Sequence, residues 1–183
     1  MNQVVTTYYL ELTDPADVRP VSAHIPRVQV QRVEIPCPVL SRFLYTTVGQ
    51  AWQWTDRLSW TDEQWLSYLD RPAFQLWLGY VAGTPIGYFE LEQQEAGNVE
   101  IVAFGLLPQF IGQGLGGQLL TAAIRRAWDV GATRVWLHTC SLDGPAALPN
   151  YQARGFRVFR EETSTVELPK HSVHGTYHVQ NTL

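Results

Sequence analysis

The glycines at positions 112, 114, 116 and 117, in the run Gly112-Gln113-Gly114-Leu115-Gly116-Gly117, are the residues whose type and spacing point most directly to chemistry. A strand-like segment precedes them and a helix-like one follows. Such a turn leaves backbone N–H groups unpaired at the positive end of a helix, where a phosphate binds well. Glycine keeps Cβ atoms out of the anion's way. A plain strand-to-helix turn would not need so many glycines, because each weakens the start of the helix. The run also spells the dinucleotide fingerprint G-x-G-x-x-G. That reading requires an early βαβ unit and an acidic residue ~20 positions on. Here three antiparallel strands come first, and the next strand ends His138-Thr139-Cys140 with no acid until Asp143. The context rejects a dinucleotide.

Other side chains suggest other chemistries. His138 and Cys140 would serve a cysteine acyl-enzyme with a histidine base. Residues two apart on a strand stand ~6.6 Å apart, beyond hydrogen-bond reach, so they form no dyad. Cys140 reads instead as a small apolar strand residue. His171, His174 and His178 share no element with a fixed spacing and lack a fourth ligand, so no metal is expected. Trp52, Trp54, Trp60 and Trp65 form an unusual aromatic run, readable as the packing of two helices.

The elements that must position these residues follow from the sequence pattern. Val4 to Leu12 is β-branched and aromatic, and Arg27 to Ile35 alternates; both predict strands, with a proline-containing loop from Asp14 to Pro26 between them. Val39 to Trp54 and Thr61 to Leu69 predict helices, the second capped by Thr61 with Gln64 three residues on. Phe74 to Val81 and Ile86 to Gln93 predict a hairpin, and Val99 to Leu107 a third antiparallel strand. Leu115, Leu119, Ala123 and Ala127, with Leu120, Ile124 and Trp128 beside them, make a helix with a buried stripe that Gly131 closes. Arg134 to Cys140 is a strand, Pro145 to Arg154 a helix and Phe156 to Phe159 a strand, with room for one more in the tail. The order is α+β with one central βαβ crossover.

Composition bounds the class. A chain of 183 residues, 45% hydrophobic and 16% charged, is expected to fold as one domain over residues 1–183. A net charge of −4 offers no basic field for nucleic acid. Its negative sign mildly favours cationic ligands such as amines. Two cysteines, Cys37 and Cys140, make no disulfide framework and suggest a reducing compartment. The start lacks a signal peptide's basic residues, and the longest apolar run, Ile101 to Leu107, is far short of the ~20 residues that span a bilayer. A cytoplasmic protein with no membrane partner is expected. A homodimer is compatible with the sequence, which does not fix the oligomeric state.

Read over a wider window, Gln109, Gly112 and Gly114 match Q/R-x-x-G-x-G/A, and the segment resembles the signature loop of the GNAT superfamily of N-acetyltransferases. Ala147-Leu148-Pro149-Asn150-Tyr151-Gln152-Ala153-Arg154-Gly155-Phe156 resembles that family's A-x-x-x-Y-x-x-x-G-F. One helix and one strand separate the two motifs, as in the family. Two positions differ from the pattern. Ile111 stands where many members carry Arg, which leaves pyrophosphate binding to backbone amides. Gly144 stands where an Asn often contacts pantetheine.

The resemblance implies a GNAT fold, a mixed central sheet with helices on both faces, and transfer of acetyl from acetyl-CoA to a primary amine, small molecule or peptide, by direct attack in a ternary complex. It implies a coenzyme-binding core over about 99–159, with Phe104, Leu106, Gln109, Ile111, Gly112, Gln113, Gly114, Leu115, Gly116 and Gly117 along the coenzyme. The N–H at Leu106 would face the thioester oxygen as an oxyanion-hole donor. Tyr151 would protonate the departing thiolate. Glu100, six residues before Leu106, would be the base; simple alternation puts it on one face with Val102, Phe104 and Leu106, among apolar neighbours that raise a carboxyl pKa. Glu90 and Glu92 are the other candidates. The helices over about 39–69 would wall the acceptor pocket, so some of the four tryptophan rings would attract a cation there. The rival from another class is a non-catalytic acyl-CoA-binding or interaction module on the same scaffold.

Overall fold

The structure is a computed structural model that describes residues 2–21 and 27–167. Its strands are β1 (Asn2–Leu12), β2 (Gln29–Val33), β3 (Phe74–Val81), β4 (Thr84–Gln93), β5 (Asn98–Leu106), β6 (Arg134–Cys140) and β7 (Arg157–Glu167). Its helices are α1 (Pro38–Gly49), α2 (Asp62–Leu69), α3 (Leu115–Asp129) and α4 (Ala147–Ala153). The strands form one sheet in the order β2-β3-β4-β5-β6-β1-β7. Every adjacent pair is antiparallel except β5 and β6, which the α3 crossover makes parallel. This is the α+β mixed sheet that the sequence predicts.

Helices cover both faces. Leu119, Leu120, Ala123, Ile124 and Ala127 of α3 pack on Phe89, Leu91, Val135 and Leu137. On the opposite face Leu44 and Val48 of α1 and Leu69 of α2 pack on Leu76, Leu78 and Tyr88. Strand alternation sorts the sheet residues between these two cores, since Phe89 and Leu91 face one way and Tyr88 and Glu90 the other. Gly131, at φ 88°, ends α3 in the left-handed conformation and donates its N–H to Trp128 O. Thr61 caps α2 in a capping box with Gln64. Among the described residues, no helix is long and apolar enough to cross a membrane.

Two expectations need adjustment. The first predicted helix ends at Gly49 rather than Trp54: a 3-10 turn follows, Gln53 turns left-handed at φ 60°, and Trp54 folds back onto Gly49, where any Cβ would collide with its ring. β7 runs to Glu167, well beyond Phe159, because β1 pairs with it over its whole length. β1 itself is an interior strand, antiparallel to β6 on one side and to β7 on the other. The further strand expected in the tail lies outside the described residues.

Candidate active site

β5 and β6 pair only at Asn98–Arg134, Val99–Val135 and Glu100–Trp136. Beyond that point they separate. The cause is a bulge in β5: Glu90 and Leu91 of β4 pair with Ala103 and Ile101, which leaves Val102 as the extra residue. A bulge bends its strand and sharpens the twist. The gap opens into a cavity of about 840 Å³, bounded by both strands, the glycine loop, α4 and the chain between α1 and α2. Leu107 N–H donates to Ile86 O across β4, so alternation turns the Leu106 N–H to the other edge, toward the gap.

The glycine loop closes one end. Gly112 and Gly114 adopt φ values of 83° and 75°, a region that disfavours other residues, and a Cβ on either would meet nothing within 4 Å. The loop's outer surface is therefore open backbone. Gly114 caps the fifteen-residue α3 without a side-chain hydrogen bond, so the first amides of that helix have no internal partner. An anionic group such as a pyrophosphate fits this cradle on charge and space alike. Gly117 serves packing instead, since a Cβ there would collide with Arg154 and Val21, and its absence lets α4 approach α3. Of the coenzyme residues named from the sequence, Phe104, Leu106, Ile111, Gly112, Gly114, Gly116 and Gly117 line the cavity. Gln109, Gln113 and Leu115 do not. Gln113 donates to Gln109 O at 2.7 Å and so shapes the loop, and Leu115 is buried in the core.

Tyr151 of α4 lines the cavity with its ring edge-on to Phe104 and Phe156. Burial pushes its phenol above the usual range, and the nearby Asp143 carboxylate adds to the shift. Asp143 is a cavity residue that sequence reasoning missed. It accepts from Thr139 Oγ1 at 2.6 Å, from the Cys140 N–H at 3.0 Å and from Trp54 Nε1 at 3.4 Å. The clue was local, an Asp three residues past a strand end, where it can cap the turn. Burial raises the Cys140 thiol, which suits a packing residue.

Glu100 is not where alternation alone puts it. The bulge at Val102 reverses the faces, so Glu100 shares a face with Glu90 and Ala103, opposite Phe104. It sits at the last paired register, does not line the cavity, and is held by Gln94 Nε2 at 2.8 Å and His138 Nδ1 at 3.3 Å. The other two glutamates are also partnered. Glu90 accepts from Arg57 and Tyr68, and Glu92 pairs with Arg71 at 2.6 Å.

The tryptophan run divides. Trp52 and Trp54 line the cavity, and Trp52 lies over Gly144, whose added Cβ would be 3.0 Å from the ring. Glycine at 144 thus makes room for an aromatic wall. Trp60 and Trp65, with Tyr45 and Tyr68, surround the Arg57 guanidinium at 4.3–5.9 Å. The cation these two rings hold is the chain's own. Asp56 and Asp143 bring carboxylates to the cavity. His171, His174 and His178 lie outside the described residues.

The fold has solved relatives. It resembles a GCN5-related N-acetyltransferase from Kribbella flavida, with a TM-score of 0.61 and 22% identity over 86% of this chain and 56% of that one. A GCN5-related N-acetyltransferase from Sphaerobacter thermophilus gives 0.63 and 20% identity over 87% and 50%. The ribosomal-protein-S18-alanine N-acetyltransferase of Escherichia coli gives 0.55 and 15% over 71% and 77%. The chain thus spans about half the length of the first two. At these identities the likeness is one of fold. No curated protein matches by sequence. Residues 39–156, well over half of the chain, match the acetyltransferase (GNAT) family, and that span contains the glycine loop, the bulged strand and Tyr151. The chain belongs to the GNAT acetyltransferase family.

Proposed function

We propose that this protein transfers an acetyl group from acetyl-CoA to a primary amine by direct attack in a ternary complex. The observation that carries the reading is the cavity itself. It brings together an anion cradle at Gly112 and Gly114, the side chains of Trp52, Trp54, Asp56 and Asp143, and Leu106 and Tyr151 in one space. The cradle would hold the pyrophosphate, and the unpaired edges of β5 and β6 would hold the amide-bearing arm. When bound, acetyl-CoA supplies the thioester: a C–N bond forms at its acetyl carbon, the C–S bond breaks, and sulfur leaves as a thiol.

The chain's residues do the rest. The carboxylates and indoles of the cavity attract a cationic amine. The Leu106 N–H is a preorganised donor for oxyanion charge. Tyr151 keeps its proton at neutral pH, as any tyrosine does, and burial raises its pKa further. A thiol of the cysteine type has a pKa near ~8.5, so outright donation by this phenol is uphill. Tyr151 therefore passes on a proton as its oxygen receives one of the two that the attacking ammonium must lose, the one that ends on sulfur.

A panel of amines with acetyl-CoA, read by release of free thiol, tests the proposal. Release that depends on one class of amine supports it. Stabilisation by coenzyme A with no release from any amine would favour the non-catalytic binding module instead.

A further inference from the structure

We infer that His138, not Glu100, takes the proton from the acceptor amine, and that Glu100 is the residue that positions it. This rests on the acetyl-transfer reading above. His138 lies on β6 two residues past the last pairing with β5, where the strands have separated, and its ring lines the cavity. Glu100 is not among the residues that line the cavity, and its side chain, 12% exposed, lies behind the imidazole with which it is in contact.

The two groups are joined by a chain of polar contacts. Trp136 Nε1 donates to Gln94 Oε1 at 2.9 Å, and Gln94 Nε2 donates to Glu100 Oε2 at 2.8 Å. The remaining oxygen, Glu100 Oε1, stands 3.3 Å from His138 Nδ1. A carboxylate held by Gln94 on one side and 3.3 Å from Nδ1 on the other favours the proton on Nδ1, which leaves the Nε2 lone pair free. No hydrogen bond to Nε2 occurs among the described residues. Tyr9 of β1 and Trp136 flank the ring at centroid distances of 6.0 and 6.2 Å and limit its rotation.

The carboxylates that act on His138 pull in one direction, against the cations Arg160 and Arg134 that sit over its flanking rings Tyr9 and Trp136. The carboxylates are Glu100 on β5, Asp143 in the turn after β6 and Asp56 in the chain between α1 and α2. The bond to Glu100 raises the imidazole above its ordinary value of 6.5; burial opposes this, and the three carboxylates add to the rise. A base is most effective when its pKa lies near the working pH. In the step itself an N–H bond of the substrate ammonium breaks and an Nε2–H bond forms. Glu100 stabilises the imidazolium, and the proton leaves to solvent from a ring that is 49% exposed. The freed nitrogen lone pair is the nucleophile.

Two measurements test the inference. The first needs no turnover: an NMR titration of the histidine ring protons, with His138 identified by its loss in His138→Gln. Glu100→Gln should lower the His138 pKa toward ~6.5, and Glu100→Asp should largely restore it. An unmoved pKa would overturn the positioning role. The second is the pH profile of kcat/KM with acetyl-CoA and an amine found in the panel. His138→Gln should lower kcat/KM by about 10²–10⁴-fold at neutral pH and abolish the limb that rises from the acid side. Glu100→Gln should move that limb to lower pH. An intact limb in His138→Gln, with amine acetylation proceeding, would overturn the base assignment alone. Failure of the wild type to acetylate any amine would overturn the transfer reading, and this assignment with it.

Discussion

Arg57 Nη1 stands 2.8 Å from Glu90 Oε2, with the two side chains 11% and 1% exposed. Burial, the largest single influence, works against the guanidinium's charge, but Glu90 together with Tyr68 and Tyr88 outweighs it and raises the arginine pKa. Burial and then Glu90 push the Tyr68 phenol up as well. A glutamate that reads as a possible base in the sequence is thus the counter-ion of a cation boxed in by four aromatic rings. Removing it leaves Arg57 buried and unpaired, so Glu90→Leu should destabilise the fold by about 3–5 kcal/mol. The double replacement Arg57→Met with Glu90→Leu should cost less than Glu90→Leu alone, because no orphan charge remains. Urea unfolding of both variants decides this, and equal losses would mean that the pair is not the unit.

Coenzyme binding should fail in Gly114→Asp while the fold survives. Asp enters the left-handed region more readily than most residues, and its Cβ meets open space. Its charge, however, faces the cradle where a pyrophosphate belongs. At a hundredfold excess over its Kd, coenzyme A should stabilise the wild type by ~2.7 kcal/mol. NAD and ATP should not. Thermal unfolding with each ligand checks all three, and a coenzyme A shift that persists in the variant would make the loop purely structural.

Tyr151→Phe should lower kcat and kcat/KM together by roughly 10²-fold or more, with little change in acetyl-CoA affinity. Only the hydroxyl goes; the ring keeps its contacts with Phe104 and Phe156. Its melting temperature should therefore stay near the wild-type value. The loss should shrink for a donor with a more acidic leaving thiol. Full activity on a verified acceptor would leave Tyr151 as packing.

The Glu100–His138 pair also sets a pH dependence of stability. Because His138's folded pKa lies above 6.5, the folded state holds its proton more tightly than the unfolded state. The resulting stabilisation is fully present below the unfolded value and is lost as pH rises through the folded one. Wild type should thus exceed Glu100→Gln in stability by more at pH 6 than at pH 8. Urea titrations at the two values measure the difference, and a gap that widens at pH 8 would reverse the sign of the coupling.

What could be read from the sequence was what short-range patterns encode. Thr61 with Gln64, the stripe from Leu115 to Ala127 and the glycines before it each carry their signal within a few residues, and the structure matches all three. The bulge at Val102 had no such signal, since it exists only relative to Glu90 and Leu91 on the partner strand. Without it, alternation sent Glu100 to the wrong face. Asp143 carried a local signal, as a turn cap three residues past β6; what the sequence hid was its third donor, Trp54, 89 residues earlier. Arg57 escaped notice because nothing near it in sequence reveals the cage formed by Tyr45, Trp60, Trp65 and Tyr68.

The interior position of β1 sets an order of events in the making of the protein. Thr6 donates its N–H to Ser141 Oγ, 135 residues away, and pairs with Thr163 in β7. At ~5–20 residues per second, a ribosome adds the 135 residues up to Ser141 in roughly 7–27 seconds. Throughout that interval β1 waits with both edges open, the state in which strands find wrong partners. Pairing across so long a separation is also slow to nucleate. Val5 and Thr7 of this strand line the cavity. The glycine loop emerges before any of this, yet the cleft gains its β1 wall only when β6 and then β7 reach that strand.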